Sequence, residues 1–441
     1  MNEKKKLGVI SLGCDKNRVD SEKLLAMAEE KYQITAEIEE AQIIVVNTCA
    51  FLEGARKEAI ETAIECSQYK EIGKLEKLIM TGCLPQRFIE ELYEPLTEVD
   101  GFMGTFDYDT FNDVVERCYK GERVNNVGKG KNPNCLKRNL TTPLHYAYLK
   151  IADGCNNRCT YCLIPSIRGK YFSYPMEELI AEAEGLGEVS ELILVAQDVT
   201  RYGNDLYGKP ALCELIRKLS ALDNIESIRL LYCYPDMIDN ELIEELCNNP
   251  KLIKYLDIPL QHASSAVLKR MNRKGNHESY LKLIKELKEG VPNIALRSTF
   301  IAGFPGETQE DFEILVDFIK EAKLLNAGFF AYSREEGTPA YRLSNQIENK
   351  VKNQRVKQLY SVQKSISKEN LSLYKGKTVE VICDGIDYDR QCFVGRAYFQ
   401  APDIDGKVYF TAGNGEVINQ GEKYQVKITR TNSYDLFGRT L

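Results

Sequence analysis

Histidine is scarce in this chain: only His145, His262 and His277 occur among 441 residues. That scarcity argues against histidine-rich zinc sites and against a histidine-centred catalytic triad. Long apolar runs are missing as well; none approaches the roughly 20 residues needed to cross a bilayer. The opening stretch MNEKKKLGVISLGC has lysines but only a short apolar segment, so it reads as a first strand and not as a signal peptide. There is no excess of positive charge. The formal net charge is -7, which disfavours nucleic-acid binding by bulk electrostatics but leaves room for a local basic patch. No membrane association is expected, and the expected compartment is the cytoplasm.

What the chain does have is 14 cysteines. In a reducing compartment these point to metal or catalytic roles more than to structural disulfides. Apolar residues make up 43% and charged residues 28%, as in globular proteins. The length implies two or three domains.

Alternation along the chain divides it. Apolar runs KLGVISLGC, AQIIVVNTC and EKLIMTGC alternate with helical patterns over residues 1–125, which indicates a parallel α/β domain. Residues 126–142 are polar and read as a linker. In 143–374, six apolar runs (HYAYLKIADG, ELILVAQ, SIRLLYCY, KYLDIPLQ, NIALRSTFIAG, NAGFFAYS) alternate with helices and end in a charged helix. That pattern predicts a partial (β/α)6 barrel whose chemistry lies at the carboxyl ends of its strands. Residues 375–441 switch to period two and predict a small antiparallel, OB-like β-barrel.

Two cysteine groups stand out. Cys155, Cys159 and Cys162 are spaced C-x3-C-x2-C in the loop after the first barrel strand. Three thiolates in one run can hold three irons of a 4Fe-4S cluster and leave the fourth open. A zinc site completed by a distant cysteine, or chance, is the plain alternative. Cys14, Cys49 and Cys83 each close an apolar run of the first domain. Parallel strands share one carboxyl edge, so these three should converge there; the plain alternative is three buried free thiols. Cys66, Cys118, Cys135, Cys213, Cys233, Cys247, Cys383 and Cys392 read as ordinary core or surface residues.

The C-x3-C-x2-C run with Tyr161 before its last cysteine resembles the signature of radical S-adenosylmethionine (SAM) enzymes. With the Cys14, Cys49, Cys83 domain and a TRAM-like terminal barrel, the whole chain resembles the MiaB/RimO methylthiotransferases. SLGCDKNRVDSE (11–22) and PLQHAS (259–264) resemble the RimO branch, not the tRNA-modifying MiaB branch. One departure is Tyr174 in RGKYFSYP, where the family usually carries arginine before the proline.

The resemblance implies an enzyme that turns a β-carbon C–H of an aspartate in ribosomal small-subunit protein S-twelve into C–SCH3. It implies two 4Fe-4S clusters, one on Cys155, Cys159 and Cys162 that cleaves SAM, and one on Cys14, Cys49 and Cys83 that delivers sulfur. It further implies SAM as methyl donor and radical source, a reducing carrier such as flavodoxin or ferredoxin, a TRAM domain that docks the protein substrate, and a monomer. Along SAM it places Tyr161, Gln197, Arg297, Gly303 and Glu307. For Gly303 and Glu307, in FIAGFPGET, a simple strand-to-helix turn is an equal reading; Arg297 reads equally as a surface residue, and His262 as positional. From Gly376 to Leu441 there are eight Lys+Arg against nine Asp+Glu. That balance suits a basic protein surface better than an RNA backbone.

Overall fold

Residues Ile43–Thr48, IIVVNT, are buried at every position, as expected of a strand covered on both faces. The structure, a computed structural model, describes residues 4–130, 137–413 and 415–441. The chain packs as two units. The first comprises residues 1–141, 148–157 and 162–186; the second comprises 142–147, 158–161 and 187–441.

In the first unit, β1 (Lys6–Ser11), β2 (Gln33–Ile34), β3 (Ile43–Thr48), β4 (Lys77–Gly82), β5 (Gly101–Phe102) and β6 (Val124–Asn125) form a sheet ordered β2-β1-β3-β4-β5-β6. Every pair is parallel. The apolar run of β3 hides a period of two. Ile43 and Val45 join Leu24, Leu25, Phe111 and Val114 on one face. Ile44 and Val46 join Ala59, Ala63, Leu84 and Leu92 on the other. Helices on both faces therefore explain the unbroken hydrophobicity. The sequence pattern shows three strands and the sheet has six, because β2, β5 and β6 are two residues each.

The expected linker is anchored at its far end. Arg138 is buried between Glu22 and Glu182, and Thr141 donates to Glu22 Oε1 through backbone (2.8 Å) and hydroxyl (2.9 Å). Its residues 131–136, Cys135 among them, lie outside the described residues.

Next come β7 (Tyr146–Lys150) and the antiparallel pair β8 (Ala152–Asp153) and β9 (Phe172–Ser173). They are followed by β10 (Glu191–Val195), β11 (Ile228–Leu230), β12 (Leu252–Asp257), β13 (Ala295–Ala302) and β14 (Asn326–Ala331). These give an open sheet ordered β14-β13-β12-β11-β10-β7, the partial barrel expected from six apolar runs. After the helix Asn349–Ser372, β15 (Thr378–Asp387), β16 (Cys392–Arg396), β17 (Val408–Thr411), β18 (Lys423–Thr431) and β19 (Leu436–Thr440) close a five-stranded barrel. Its last strand, LFGRT, was not foreseen; it is short and interrupted by Gly438. Among the described residues no helix is long and apolar enough to cross a membrane.

Within the second unit, buried ions join the terminal barrel to the amino ends of the partial-barrel strands. Glu191, first in β10, pairs with Arg229 and, at 2.7 Å, with Arg396. Arg396 also reaches Asp384 at 2.8 Å, and Tyr255 donates to Asp405 at 2.7 Å. Burial alone would raise the Glu191 carboxyl, but Arg229 and Arg396 outweigh it and bring it from 4.5 to about 2. With the folded value depressed, this stabilisation is present above pH 4.5 and is lost as pH falls towards 2. Glu191→Gln is therefore expected to cost on the order of 3 kcal/mol in urea unfolding at neutral pH. The gap to the parent protein should close between pH 4.5 and 2; a gap independent of pH contradicts the assignment.

Candidate metal centres and active site

The carboxyl ends of β1, β3 and β4 lie on one edge of the first sheet, and the three cysteines follow them directly. Cys49 comes straight after β3 and Cys83 straight after β4; Cys14 caps the helix Asp15–Ala28 after β1. Asn17 marks their convergence. Its Oδ1 accepts from Cys14 Sγ at 3.8 Å and from Cys83 Sγ at 3.9 Å. Its Nδ2 donates to Thr48 O at 2.9 Å, beside Cys49. A Cβ on Gly13 would fall 3.0 Å from Cys49 Cβ. Gly82, before Cys83, has φ +96°, and a Cβ there would strike Asn47 Oδ1 at 2.3 Å and Thr48 O at 2.7 Å. Only glycine lets the chain turn into Cys83 at that point.

Electrostatics ties the same three thiols together. Burial pushes Cys83 up to about 12; Arg168 opposes this, and Cys14 and Cys49 add to it. Burial likewise raises Cys49, with Cys14 reinforcing and Arg168 opposing. Arg168 is buried, and its Nη2 donates to Asn17 Oδ1 at 2.7 Å and to Asp20 Oδ2 at 3.0 Å. Its Nη1 donates to Asp153 Oδ2 at 2.7 Å.

Cys155, Cys159 and Cys162 lie in the loop between β8 and the short helix Ile164–Ile167. Cys155 and Cys162 pack with the first unit and Cys159 with the second. Backbone N–H groups of Asn157 and Ile164 donate to Cys155 Sγ (3.4 Å) and Cys162 Sγ (3.5 Å). Arg273 Nη1 donates to Cys159 Sγ at 3.8 Å, and Tyr234 Oη lies equally near. Such donors suit thiolates that hold iron. Gly154 (φ +69°) is required here too, since a Cβ would meet Lys170 O at 2.2 Å.

The other expected site residues take varied positions. Tyr161 packs against the buried group Val267, Met271, Phe304, Tyr332 and Ala340. Gln197 is half-buried just past β10. Gly303 follows β13, and the space its Cβ would fill belongs to Lys352 Cγ, 2.3 Å away. Glu307 is buried: Oε2 accepts from Gly303 N (2.7 Å) and Phe304 N (3.1 Å), and Oε1 pairs with Arg355 at 2.6 Å. His262 Nε2 stands 3.5 Å from the same carboxylate. Arg297 is no surface residue: it bonds Asp257 at 2.8 Å and lies 3.4 Å from Asp405 of the terminal barrel. Tyr232 (φ 63°) and Gln261 (φ 71°), just past β11 and β12, are left-handed without being glycine, a strain typical of functional edges.

Comparisons with known proteins agree with this layout. A model described as Radical SAM superfamily matches residues 149–319, one described as Uncharacterized protein family UPF0004 matches 6–104, and a TRAM domain matches 376–441. A protein of Lachnoclostridium phytofermentans named ribosomal protein uS12 methylthiotransferase RimO is 45% identical over 438 residues, covering 98% of this chain and 99% of its own. A protein of the same name from Clostridium tetani is 46% identical over 437 residues, covering 98% and 97%.

The chain belongs to the RimO family.

The MiaB alternative is not favoured by these relatives. Among solved structures, the radical SAM methyltransferase TsrM of Kitasatospora setae superposes with a TM-score of 0.54 at 14% identity, covering 76% of this chain and 77% of its own. The cobalamin-dependent radical enzyme OxsB gives 0.53 at 12%, covering 82% and 56%. Both likenesses concern the fold alone.

For a RimO-family chain, sequence reading missed Asn17, Arg168 and Arg273, polar residues whose partners are distant in sequence. Arg168 could have been noticed as the first cation after the last cysteine of the motif, six residues past it. The Tyr174 departure has a physical account. Its ring lies under Lys23 at 5.3 Å and Lys150 at 5.8 Å. An arginine would add a third cation there, whereas a ring attracts both. The Gly82 turn gives a direct check. Gly82→Ala should cost roughly 1–3 kcal/mol in urea unfolding, while Gly54→Ala, with nothing within 4 Å of its added Cβ, should be neutral or stabilising. Equal midpoints for the two variants contradict this reading.

Proposed function

We propose that this chain is a radical SAM methylthiotransferase that replaces a β-carbon C–H of an aspartate in ribosomal protein uS12 with C–SCH3. The observation that carries this reading is the second thiol triad, Cys14, Cys49 and Cys83, gathered around Asn17 in a chain that already has the radical SAM run. One triad suffices for generic radical chemistry; a second gives the added sulfur a place to be held.

Both donor sets fit 4Fe-4S clusters, two in all. Each is all-thiol and one ligand short of four. Among the described residues no group of His, Cys, Asp or Glu is arranged to hold a lone metal ion. That is compatible with cubanes, whose irons occupy separate corners. When bound, the clusters and SAM supply the radical that breaks an unactivated C–H bond, together with the sulfur and methyl group, chemistry beyond any side chain.

The protein's own residues position these groups. Asn157 and Ile164 amides and Arg273 donate towards the Cys155, Cys162 and Cys159 sulfurs. Gln197 and Gly303, past the carboxyl ends of β10 and β13, stand where such folds bind ligands; we assign them to SAM. Glu307 supports that role by holding the Gly303 and Phe304 amides, and Tyr161 by packing against the buried group that includes Phe304. Arg297, held by Asp257 and Asp405, acts as a brace.

The terminal barrel is assigned to docking the protein substrate. Two of its four arginines are spent internally: Arg396 on Glu191 and Asp384, Arg390 on Asp387. That leaves fewer cations for a phosphate backbone. One electron per turnover is assigned to a reducing carrier such as flavodoxin or ferredoxin, and the enzyme to a monomer.

Mass spectrometry of uS12 from a strain lacking this gene should show the methylthio increment lost and restored by the parent gene. An unchanged uS12 alongside a lost tRNA modification contradicts the proposal.

A further inference from the structure

Arg168 joins the surroundings of both cysteine sets. It lies six residues past Cys162 and is 2% exposed. Its guanidinium is forked. Nη2 holds Asn17 Oδ1 at 2.7 Å, and that oxygen is shared by Cys14 and Cys83. Nη1 holds Asp153 Oδ2 at 2.7 Å, and Asp153 Oδ1 accepts from Gly154 N at 2.8 Å. The next residue, Gly169, accepts the Cys155 N–H at 3.2 Å. Arg168 and Gly169 therefore hold the chain on both sides of the Gly154–Cys155 bond, and Arg168 also reaches Cys14 and Cys83 through Asn17.

We infer that Arg168 is a positioning residue that sets the electrostatics of the Cys14, Cys49, Cys83 site and fixes its register to Cys155. The inference rests on the two-cluster reading above. A buried cation beside thiolate ligands, here joined to them through Asn17, favours the more negative, reduced state of a cluster, and so raises its potential. Lysine at this position keeps the charge among Asp20 and Asp153 but, as a point donor, loses the planar fork. Glutamine loses both.

The test uses the full chain with Cys155, Cys159 and Cys162 changed to alanine, so that iron reports the other triad. Arg168→Lys in that background should fold, hold about four irons and show a midpoint potential below that of its parent by EPR-monitored titration. Arg168→Gln should lie lower still. In the otherwise intact chain, Arg168→Lys should raise the 5′-deoxyadenosine formed per methylthio product roughly tenfold, the weight of one charged hydrogen bond. An Arg168→Lys protein with iron, potential and ratio unchanged overturns the inference. So does an Arg168→Lys protein that fails to fold, since Arg168 is then a structural prop. A parent background that takes up no iron overturns instead the two-cluster reading on which the inference rests.

Discussion

Four buried charges meet in the first unit: Arg168, Lys150, Asp20 and Asp153. Lys150 pairs with both carboxylates, and Arg168 lies 3.0 Å from Asp20 and 2.7 Å from Asp153. None of their side chains is more than 2% exposed. Burying single charges is costly; burying two of each sign with crossed hydrogen bonds offsets the cost. Burial alone would raise Asp153, yet Arg168 and Lys150 hold it below the usual carboxylate range. Removing any one member leaves an uncompensated charge, so the quartet must form as a set. Its contacts then fix where Asn17, Gly154 and the thiols beside them lie.

The second unit divides its labour along the strand axis. Its amino end is closed by Glu191, Arg229, Arg396 and Asp405, contributed by both the partial barrel and the terminal barrel. Its carboxyl end carries the left-handed Tyr232 and Gln261 and the Glu307 turn. Stability is built at one end, and the residues proposed for SAM lie at the other, the end that carries the chemistry in complete barrels.

The long strands and the C-x3-C-x2-C run were legible in the sequence because they are local signals. β3 announces itself by six buried residues, and the spacing of Cys155, Cys159 and Cys162 is contained in one loop. The convergence of Cys14, Cys49 and Cys83 was legible for a topological reason, since parallel strands have one carboxyl edge. What was not legible depends on long-range pairing. Arg297 finds Asp405 across 108 residues, and Arg168 finds Asn17 across 151. Two-residue strands such as β5 carry no periodicity to detect. Nor does the pattern GFPGET tell that the space beside its first glycine is taken by Lys352.

The central claim is that the two thiol triads have separate duties. Changing Cys14, Cys49 and Cys83 together to alanine tests it most directly, with iron, 5′-deoxyadenosine and methylthiolated uS12 measured on one reconstituted sample. The account predicts that about four of about eight irons remain, that SAM is still cleaved to 5′-deoxyadenosine, and that no methylthio product forms. Methylthiolation that survives the triple change, or loss of SAM cleavage along with it, would contradict the account.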